Sequence, residues 1–276
     1  MKKSIQRAIV EIVSVLLTVI IFIVPLYFVL VNALKDQKEA AVLNLSWPSQ
    51  VHLWDNIREV ITARDYMLLT AFVNSTVLTL LSIFVLIAVC AMAGYVVQRR
   101  VSKATPFINF FILAGLIIPP AIVPTIWVLD SIGLYKTMMG LVLVEVALSF
   151  PFGVLLYKGF MSQIPREVDE AAVVDGANGF TLFYRIIFPL LQPVTATIII
   201  TSSVSIFNDF TNPLYFFPGA KNATVQLTLY NFQSQFNTQW NLLFMNILLI
   251  TIPPLLLFII FNKKIVAGMT AGAVKG

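Results

Sequence analysis

Hydroxyl and carboxyl side chains recur at helical spacing in the fifth apolar stretch of this sequence. Thr197, Thr201, Ser205 and Asp209 follow one another every four residues, so they share one face of a helix. Hydroxyl groups donate and accept hydrogen bonds without carrying charge, which suits neutral solutes such as sugars. With Asn208 beside Asp209, the row predicts a polar face along a solute pathway. The alternative is that the hydroxyls bond their own backbone or an adjacent helix, as is common in membrane helices.

An ionisable residue lies inside the fourth apolar stretch. It is Glu145, which is followed one helical turn later by Ser149. A carboxylate inside a bilayer is costly, so Glu145 is expected to face the interior of a helix bundle rather than lipid. It would there either line the solute pathway together with Ser149 or form a structural hydrogen bond to a neighbouring helix. The sequence leaves both alternatives open.

A polar segment follows the fourth stretch and carries the signals of a short helix. Ser162 and Pro165 predict its start, with Ser162 as the cap and Pro165 in the first turn. Glu167 and Glu170 then suit the positive end of the helix dipole. Gly176 predicts the end of the helix, because glycine turns the backbone most readily.

A second short helix is predicted beyond that glycine. Asn178 can cap it, its body is predicted from Phe180 to Ile187, and Pro189 is expected to end it. Two short helices at an angle, lying parallel to the membrane, would move as a rigid unit and transmit a displacement. We therefore predict that this long loop (residues 162–191) is bound by a partner outside the bilayer.

Composition places these residues in an integral membrane protein. Of 276 residues, 59% are hydrophobic and 11% are charged, and the mean hydropathy is +0.90, unlike soluble domains. A helical span needs about 20 apolar residues. We predict an all-α membrane protein with six spans. They are Ile12 to Val31, Phe72 to Val97, Phe107 to Leu129, Met138 to Tyr157, Pro193 to Phe207 and Leu242 to Phe261.

Basic residues predict the orientation of the spans. Most of the 18 Lys and Arg residues lie before the first span, between the second and third, in or next to the long loop, and after the last span. By the positive-inside rule, both termini and the long loop face the cytoplasm. The first span is expected to stay as an anchor, because it is too long for a signal peptide and no cleavage site follows. The single cysteine and the single histidine, Cys90 and His52, have no ligand cluster around them, so no metal site is predicted.

The long loop resembles the signature of the permease subunits of binding-protein-dependent ABC importers. That signature is Glu-Ala-Ala, three residues, Gly, nine residues, and Ile-x-Leu-Pro. This sequence has Glu170-Ala171-Ala172, Gly176 and Ile186 at the same spacings, with Phe188 in place of leucine before Pro189. The substitution keeps an apolar anchor.

Two further stretches resemble the carbohydrate branch of that family, of the maltose-transporter type. They are Phe207 to Leu214 and the ending Gly268 to Gly276, although relatives usually carry Trp where Phe207 and Asn212 stand here. The resemblance implies a type I ABC importer permease fold with cytoplasmic coupling helices. It also implies an anchor span with an external loop at residues 1–69, a permease domain at 70–262 and a cytoplasmic tail at 263–276.

The same resemblance implies the partners. The long loop would sit in a cleft of an ATPase subunit, and the complex would hold an ATPase dimer, a second permease and an extracytoplasmic sugar-binding protein. A carbohydrate, such as an oligosaccharide, would cross by alternating access. The sequence has no Gly-x-x-x-x-Gly-Lys-Ser/Thr phosphate loop, so this chain is expected to be no enzyme and to hold no cofactor, with ATP and magnesium on the partner. The implied ATPase contacts are Arg166, Glu167, Glu170, Ala171, Ala172, Asp175, Gly176, Asn178, Phe180 and Pro189.

The sequence admits three alternatives. The first is an ABC permease for glycerol phosphate, another polyol derivative or a peptide; phosphate would favour basic residues lining the spans, which are not seen. The second is a proton-coupled secondary transporter with Glu145 as the carrier, but no internal repeat or further buried ionisable groups are evident. The third is a membrane enzyme, which would need a cluster of His, Asp, Glu or Cys near one membrane face.

Overall fold

The backbone is described for residues 2–100, 102–234 and 238–273 in a computed structural model. Side chains are described for residues 10–100, 102–234, 238–256 and 258–260. Within the described backbone the chain is helical and contains no β-strand. The all-α prediction is therefore confirmed. The last residues of the predicted tail, 274–276, lie outside the described part.

The helices are numbered in chain order. Two π-helical turns, Val19–Ile23 and Leu182–Ile187, and two 3-10 segments, Ala220–Asn222 and Val225–Asn231, connect some of them. The α-helices are α1 (Lys2–Thr18), α2 (Val24–Ala33), α3 (Gln37–Ala40), α4 (Leu53–Arg99), α5 (Thr105–Ile117), α6 (Ile122–Ser131), α7 (Met138–Met161), α8 (Glu167–Val174), α9 (Gly179–Thr181), α10 (Phe188–Leu190), α11 (Gln192–Phe207), α12 (Thr211–Phe216) and α13 (Trp240–Ala273).

Six membrane spans are compatible with these helices. Among the described residues, four helical stretches are long and apolar enough to cross a bilayer: Val10–Ala33, Leu53–Arg99, Met138–Met161 and Trp240–Ile260. Two bent helix pairs meet the same criteria when each pair is taken together, which brings the number to six. One pair is α5 with α6, and the other joins Gly179–Leu190 to α11.

The predicted third span consists of two helices separated by a break. Helices α5 and α6 meet at an angle of 118°, and Ile118 has extended backbone angles, with φ −75° and ψ 121°. Ile118 precedes Pro119, and the ring of a proline disfavours the helical conformation in the residue before it. Pro119 and Pro120 also lack the amide hydrogens that would continue the helix. The proline pair therefore ends one helix, and Ala121 caps the next in an extended conformation.

The chain divides into two compact units. The first unit consists of Met1–Ala71 and Val225–Ile252, and the second consists of Phe72–Thr224 and Pro253–Gly276. Helix α4 contributes to both units, and its path is interrupted shortly before the boundary. Ala63 is extended there, and the next three residues have left-handed backbone angles, with φ between 48° and 59°.

A buried lysine organises the first unit. Lys35 is 0% exposed, and its Nζ donates to Asn32 Oδ1 at 3.1 Å, to Asn44 O at 3.1 Å and to Asn44 Oδ1 at 2.8 Å. An ammonium group has three N–H donors, so these acceptors satisfy all of them. Asn56 Nδ2 donates to the carbonyls of Ala33 and Lys35. The connection after α2 is thus fixed by buried hydrogen bonds.

Close contacts between α4 and α7 form the core of the second unit. A Cβ on Gly94 would lie 2.7 Å from Tyr157 Cβ, so the two helices approach as closely as glycine allows. One turn earlier, the fully buried Cys90 packs against Gly153. Tyr157 is also fully buried, and its hydroxyl is 2.8 Å from Thr195 Oγ1 on α11. These contacts join α4, α7 and α11 around one apolar cluster.

A Gly94→Ala substitution tests this packing. The added Cβ would press on Tyr157 Cβ and lie 3.3 Å from the Lys158 amide nitrogen, so we expect a loss of about 1–3 kcal/mol of stability. Gly159→Ala is the matched control, because a Cβ there meets no atom within 4 Å and alanine favours helix. Thermal unfolding of the detergent-solubilised protein measures both. Equal or higher stability of Gly94→Ala would contradict the close approach.

Candidate functional site

The first helix of the long loop begins later than the sequence predicts. Helix α8 starts at Glu167, its N-cap is Arg166, and no side chain caps it. The prediction that Ser162 caps this helix is wrong, because α7 continues to Met161 and Ser162 ends it. The Ser162 hydroxyl donates to the Gly159 carbonyl at 2.7 Å. Pro165 consequently lies in the connection between α7 and α8 rather than in a first helical turn.

The end of α8 is as predicted. Gly176 has a φ of +83°, in the left-handed region that favours glycine. Its amide donates to the Val173 carbonyl at 3.0 Å, and the Ala177 amide donates to the Ala172 carbonyl at 2.9 Å. These two bonds satisfy carbonyls that the end of a helix leaves without partners. The turn at Gly176 then directs the chain into the second helix of the long loop.

The second helix of the long loop is capped as predicted and ends one residue beyond Pro189. Asn178 Oδ1 accepts a hydrogen bond from the Thr181 amide at 2.9 Å. The helical path then runs through α9, the π-helical turn and α10 to Leu190. Pro189 therefore lies one residue before the end of this helical path, and the 72° bend follows at Leu191.

The long loop exposes apolar side chains next to carboxylates. Val173, Val174 and Phe180 are 60%, 86% and 71% exposed, while Glu170 and Asp175 are exposed on the same loop. Other apolar residues of the loop are buried within the second unit: Ala172, Leu182, Phe183 and Ile187. We call Val173, Val174, Phe180, Glu170 and Asp175 the docking face. Exposed apolar side chains ringed by polar ones are typical of protein-binding surfaces.

Sequence reasoning missed an ion pair that holds the start of α8. Arg99 Nε, at the end of α4, lies 2.9 Å from Asp169 Oδ2. The atoms are close, but the N–H is not aligned as a hydrogen bond, so the contact is electrostatic. Arg99 Nη2 also donates to the Ile164 carbonyl at 3.0 Å. The one local signal is the pair of arginines that ends the second predicted span, Arg99 and Arg100.

Two of the predicted pathway carboxylates are brought together. Glu145 is 5% exposed, and its Oε1 accepts a hydrogen bond from Asn212 Nδ2 at 3.1 Å. Its carboxyl group also lies near that of Asp209. Asp209 Oδ1 in turn accepts from the Thr211 amide at 2.8 Å, at the start of α12. Glu145 therefore makes the helix-to-helix contact that the sequence left open, and Asp209 serves the turn after α11.

The row of hydroxyl residues on α11 is more exposed than Glu145. Thr201 and Ser205 are exposed and Thr197 is half-buried. The Thr197 and Thr201 hydroxyls donate to the carbonyls one turn earlier, at 3.1 and 2.9 Å, and Asn208 Nδ2 donates to the Val204 carbonyl. The exposed side of α11 thus carries polar side chains that also bond their own helix. Ser149 on α7 is half-buried, and a role of all these residues in a solute pathway stays a prediction.

The membrane-crossing helices and the exposed two-helix loop have a counterpart among solved structures. A crystal structure of a bacterial ABC transporter that imports the acidic polysaccharide alginate contains a chain of this fold. The two chains superpose with a TM-score of 0.78 at 16% identity, over 94% of this chain and 96% of the other. The predicted type I importer permease fold is therefore confirmed.

The chain belongs to the family described as binding-protein-dependent transport system inner membrane component, whose profile matches residues 90–271. It is 29% identical to the probable starch degradation products transport system permease protein AmyC of Thermoanaerobacterium thermosulfurigenes, over 99% of each chain. It is 34% identical to the melibiose/raffinose/stachyose import permease protein MelC of Bacillus subtilis (strain 168), over 75% of this chain and 76% of the other. The chain is thus an ABC importer permease, a multi-pass protein of the cytoplasmic membrane and a transport component rather than an enzyme.

Proposed function

We propose that this chain forms one half of the translocation pathway of an ATP-driven importer for a carbohydrate, with an oligosaccharide as the expected substrate. The names of two similar permeases, one for starch degradation products and one for melibiose, raffinose and stachyose, support a sugar substrate. The partner permease is a second, homologous subunit, and a binding protein delivers the sugar outside the cell. Both termini and the long loop face the cytoplasm, in agreement with the distribution of Lys and Arg.

The observation that carries this proposal is the docking face. Its apolar side chains are exposed in a loop whose backbone is otherwise fixed by caps and by contacts with the second unit. A surface of this kind is suited to a protein partner. The sequence of this chain has no phosphate-binding loop, so ATP and magnesium would bind to that partner. ATP binding closes the ATPase dimer, the long loop is displaced, and the pathway opens to the sugar-loaded binding protein.

The pathway would be lined by the exposed side of α11. Thr201, Ser205 and Asn208 present hydroxyl and amide groups there, which can bond sugar hydroxyls. Glu145 and Asp209 lie near each other at the start of α12. In this proposal they shape the outer opening of the pathway. Ser149 and Thr197 complete the candidate set.

A Val174→Asp substitution tests the docking face. Val174 is 86% exposed, so aspartate is tolerated by the isolated chain, but it would place a charge at the apolar contact with the ATPase. We expect the second permease to co-purify from mild detergent as with wild type, and the ATPase to be lost. Co-purifying chains are identified by mass spectrometry.

The matched control is Val51→Asp, because Val51 is 55% exposed in the connection between α3 and α4. The ATPase should be retained in that variant. An ATPase that stays bound to Val174→Asp, or that is absent from wild type even after cross-linking, would contradict the proposal. Uptake of labelled maltodextrins, raffinose and glycerol phosphate by cells making the complete complex tests the substrate class, and uptake of glycerol phosphate alone would contradict the carbohydrate assignment.

A further inference from the structure

The Arg99 side chain joins the end of α4 to both the start of α8 and the connection before it. Its Nε lies 2.9 Å from Asp169 Oδ2. Its Nη2 donates to the Ile164 carbonyl at 3.0 Å and lies 3.5 Å from the Pro165 carbonyl. One guanidinium group thus contacts the backbone where the chain leaves α7 and a carboxylate in the first turn of α8.

The ion pair is largely shielded from solvent. The Arg99 and Asp169 side chains are 11% and 17% exposed, whereas the carboxylates of the docking face are exposed. Exposed ion pairs contribute little, but a shielded charge that loses its partner is left uncompensated. Lysine would not replace Arg99 fully, since its compact ammonium group cannot occupy the positions of both Nε, beside Asp169, and Nη2, beside the Ile164 carbonyl.

The same end of α4 also packs against the second helix of the long loop. The rings of Tyr95 and Phe183 are 5.3 Å apart between centroids, and the Tyr184 hydroxyl lies 3.7 Å from Met92 Sδ. Both helices of the long loop therefore rest on the last two turns of α4, one through an ion pair and the other through ring contacts.

We propose that Arg99 is a positioning residue that makes the long loop and the span ending at Arg99 move as one body. A displacement of α8 by the ATPase would then be transmitted directly to that span. It would also reach α7 and α11, which are joined to the two ends of the long loop. The docking face contacts the ATPase, while Arg99 and Asp169 lie behind it and carry the displacement into the membrane. This inference rests on the proposed function, since it needs a partner that moves the loop.

The test uses the complete transporter, with the ATPase, the second permease and the binding protein, reconstituted in proteoliposomes. The variants are Arg99→Gln, Asp169→Asn and the two combined, and the control is Arg100→Gln, because Arg100 is exposed beside the ion pair. For each complex we would measure the amount of bound ATPase, the ATP hydrolysis stimulated by the loaded binding protein, and the sugar taken up per ATP hydrolysed.

We expect both single variants to keep the ATPase and to lose about tenfold in uptake per ATP, within the usual range of coupling between sites. The combined variant should be no worse than the poorer single variant, because two residues that act as one pair are not additive. Arg100→Gln should behave as wild type. Unchanged uptake per ATP, independent losses that multiply in the combined variant, or loss of the ATPase from the complex would each overturn the proposal. Absence of the ATPase from the wild-type complex would instead contradict the proposed function itself.

Discussion

A Gly176→Val substitution is expected to abolish sugar uptake while leaving the chain folded in the membrane. Gly176 has a φ of +83°, and a β-branched residue in the left-handed region is strained by about 1–3 kcal/mol. A Cβ at this position meets no atom within 4 Å, so the effect comes from the backbone alone. Relief of the strain would break the two hydrogen bonds that end α8 and would displace the docking face. Uptake of labelled sugar and co-purification of the ATPase measure the result.

Two matched substitutions control for this effect. Gly179→Val adds the same side chain three residues later, where glycine has no positive φ and a Cβ also meets no atom within 4 Å. Uptake should be retained there. Gly176→Asn should keep part of the activity, because asparagine tolerates the left-handed conformation better than other side chains. Normal uptake by Gly176→Val would show that the turn does not position the docking face.

A Lys35→Met substitution is expected to destabilise the first unit by about 3 kcal/mol, since hydrogen bonds from a buried charged group are worth more than neutral ones. Methionine has nearly the same length but donates no hydrogen bond. The Asn32 and Asn44 side chains would lose the ammonium group that they share. Limited proteolysis of the connection between α2 and α4, together with thermal unfolding in detergent, measures the loss.

Lys38→Met is the matched control, because Lys38 lies three residues later on α3 and is exposed. It removes the same charge from the same connection. Stability should change by less than about 0.5 kcal/mol, as for most surface substitutions. If both variants unfold alike, the buried hydrogen bonds of Lys35 do not stabilise this unit.

Local signals predicted the parts of the long loop that local geometry controls. Gly176 and Asn178 were placed correctly, because a left-handed turn and a side-chain cap each depend on a few neighbouring residues. Ser162 was assigned to the wrong helix, since a serine in this position also suits the end of a preceding helix whose length the sequence does not fix. Pro189 is placed within one residue of the end of its helix, because a proline close to a helix end is also a local signal.

The long-range contacts of the fold have no recognisable pattern in the sequence. Arg99 and Asp169 are far apart in the sequence. A basic residue at the end of a helix and an acidic residue at the start of one are also common on exposed surfaces, so neither residue indicates the ion pair. Lys35 closely follows the first predicted span, and its burial depends on the folding of Asn32 and Asn44 around it. Apolar content predicts the third span as one segment. It does not predict the break at Pro119, because hydropathy does not record where a proline interrupts the hydrogen bonds of a helix.

The burial of Cys90 has a practical consequence for labelling. It is the one cysteine of the chain, and its sulfur is enclosed between α4 and α7 beside Gly153. A thiol without solvent contact reacts slowly with alkylating reagents. A cysteine introduced at Thr201 or Ser205, on the exposed side of α11, would therefore be the single reactive thiol of this chain without removal of the native one. Its rate of alkylation, with and without ATP, would report which faces of the helix become accessible to water during transport.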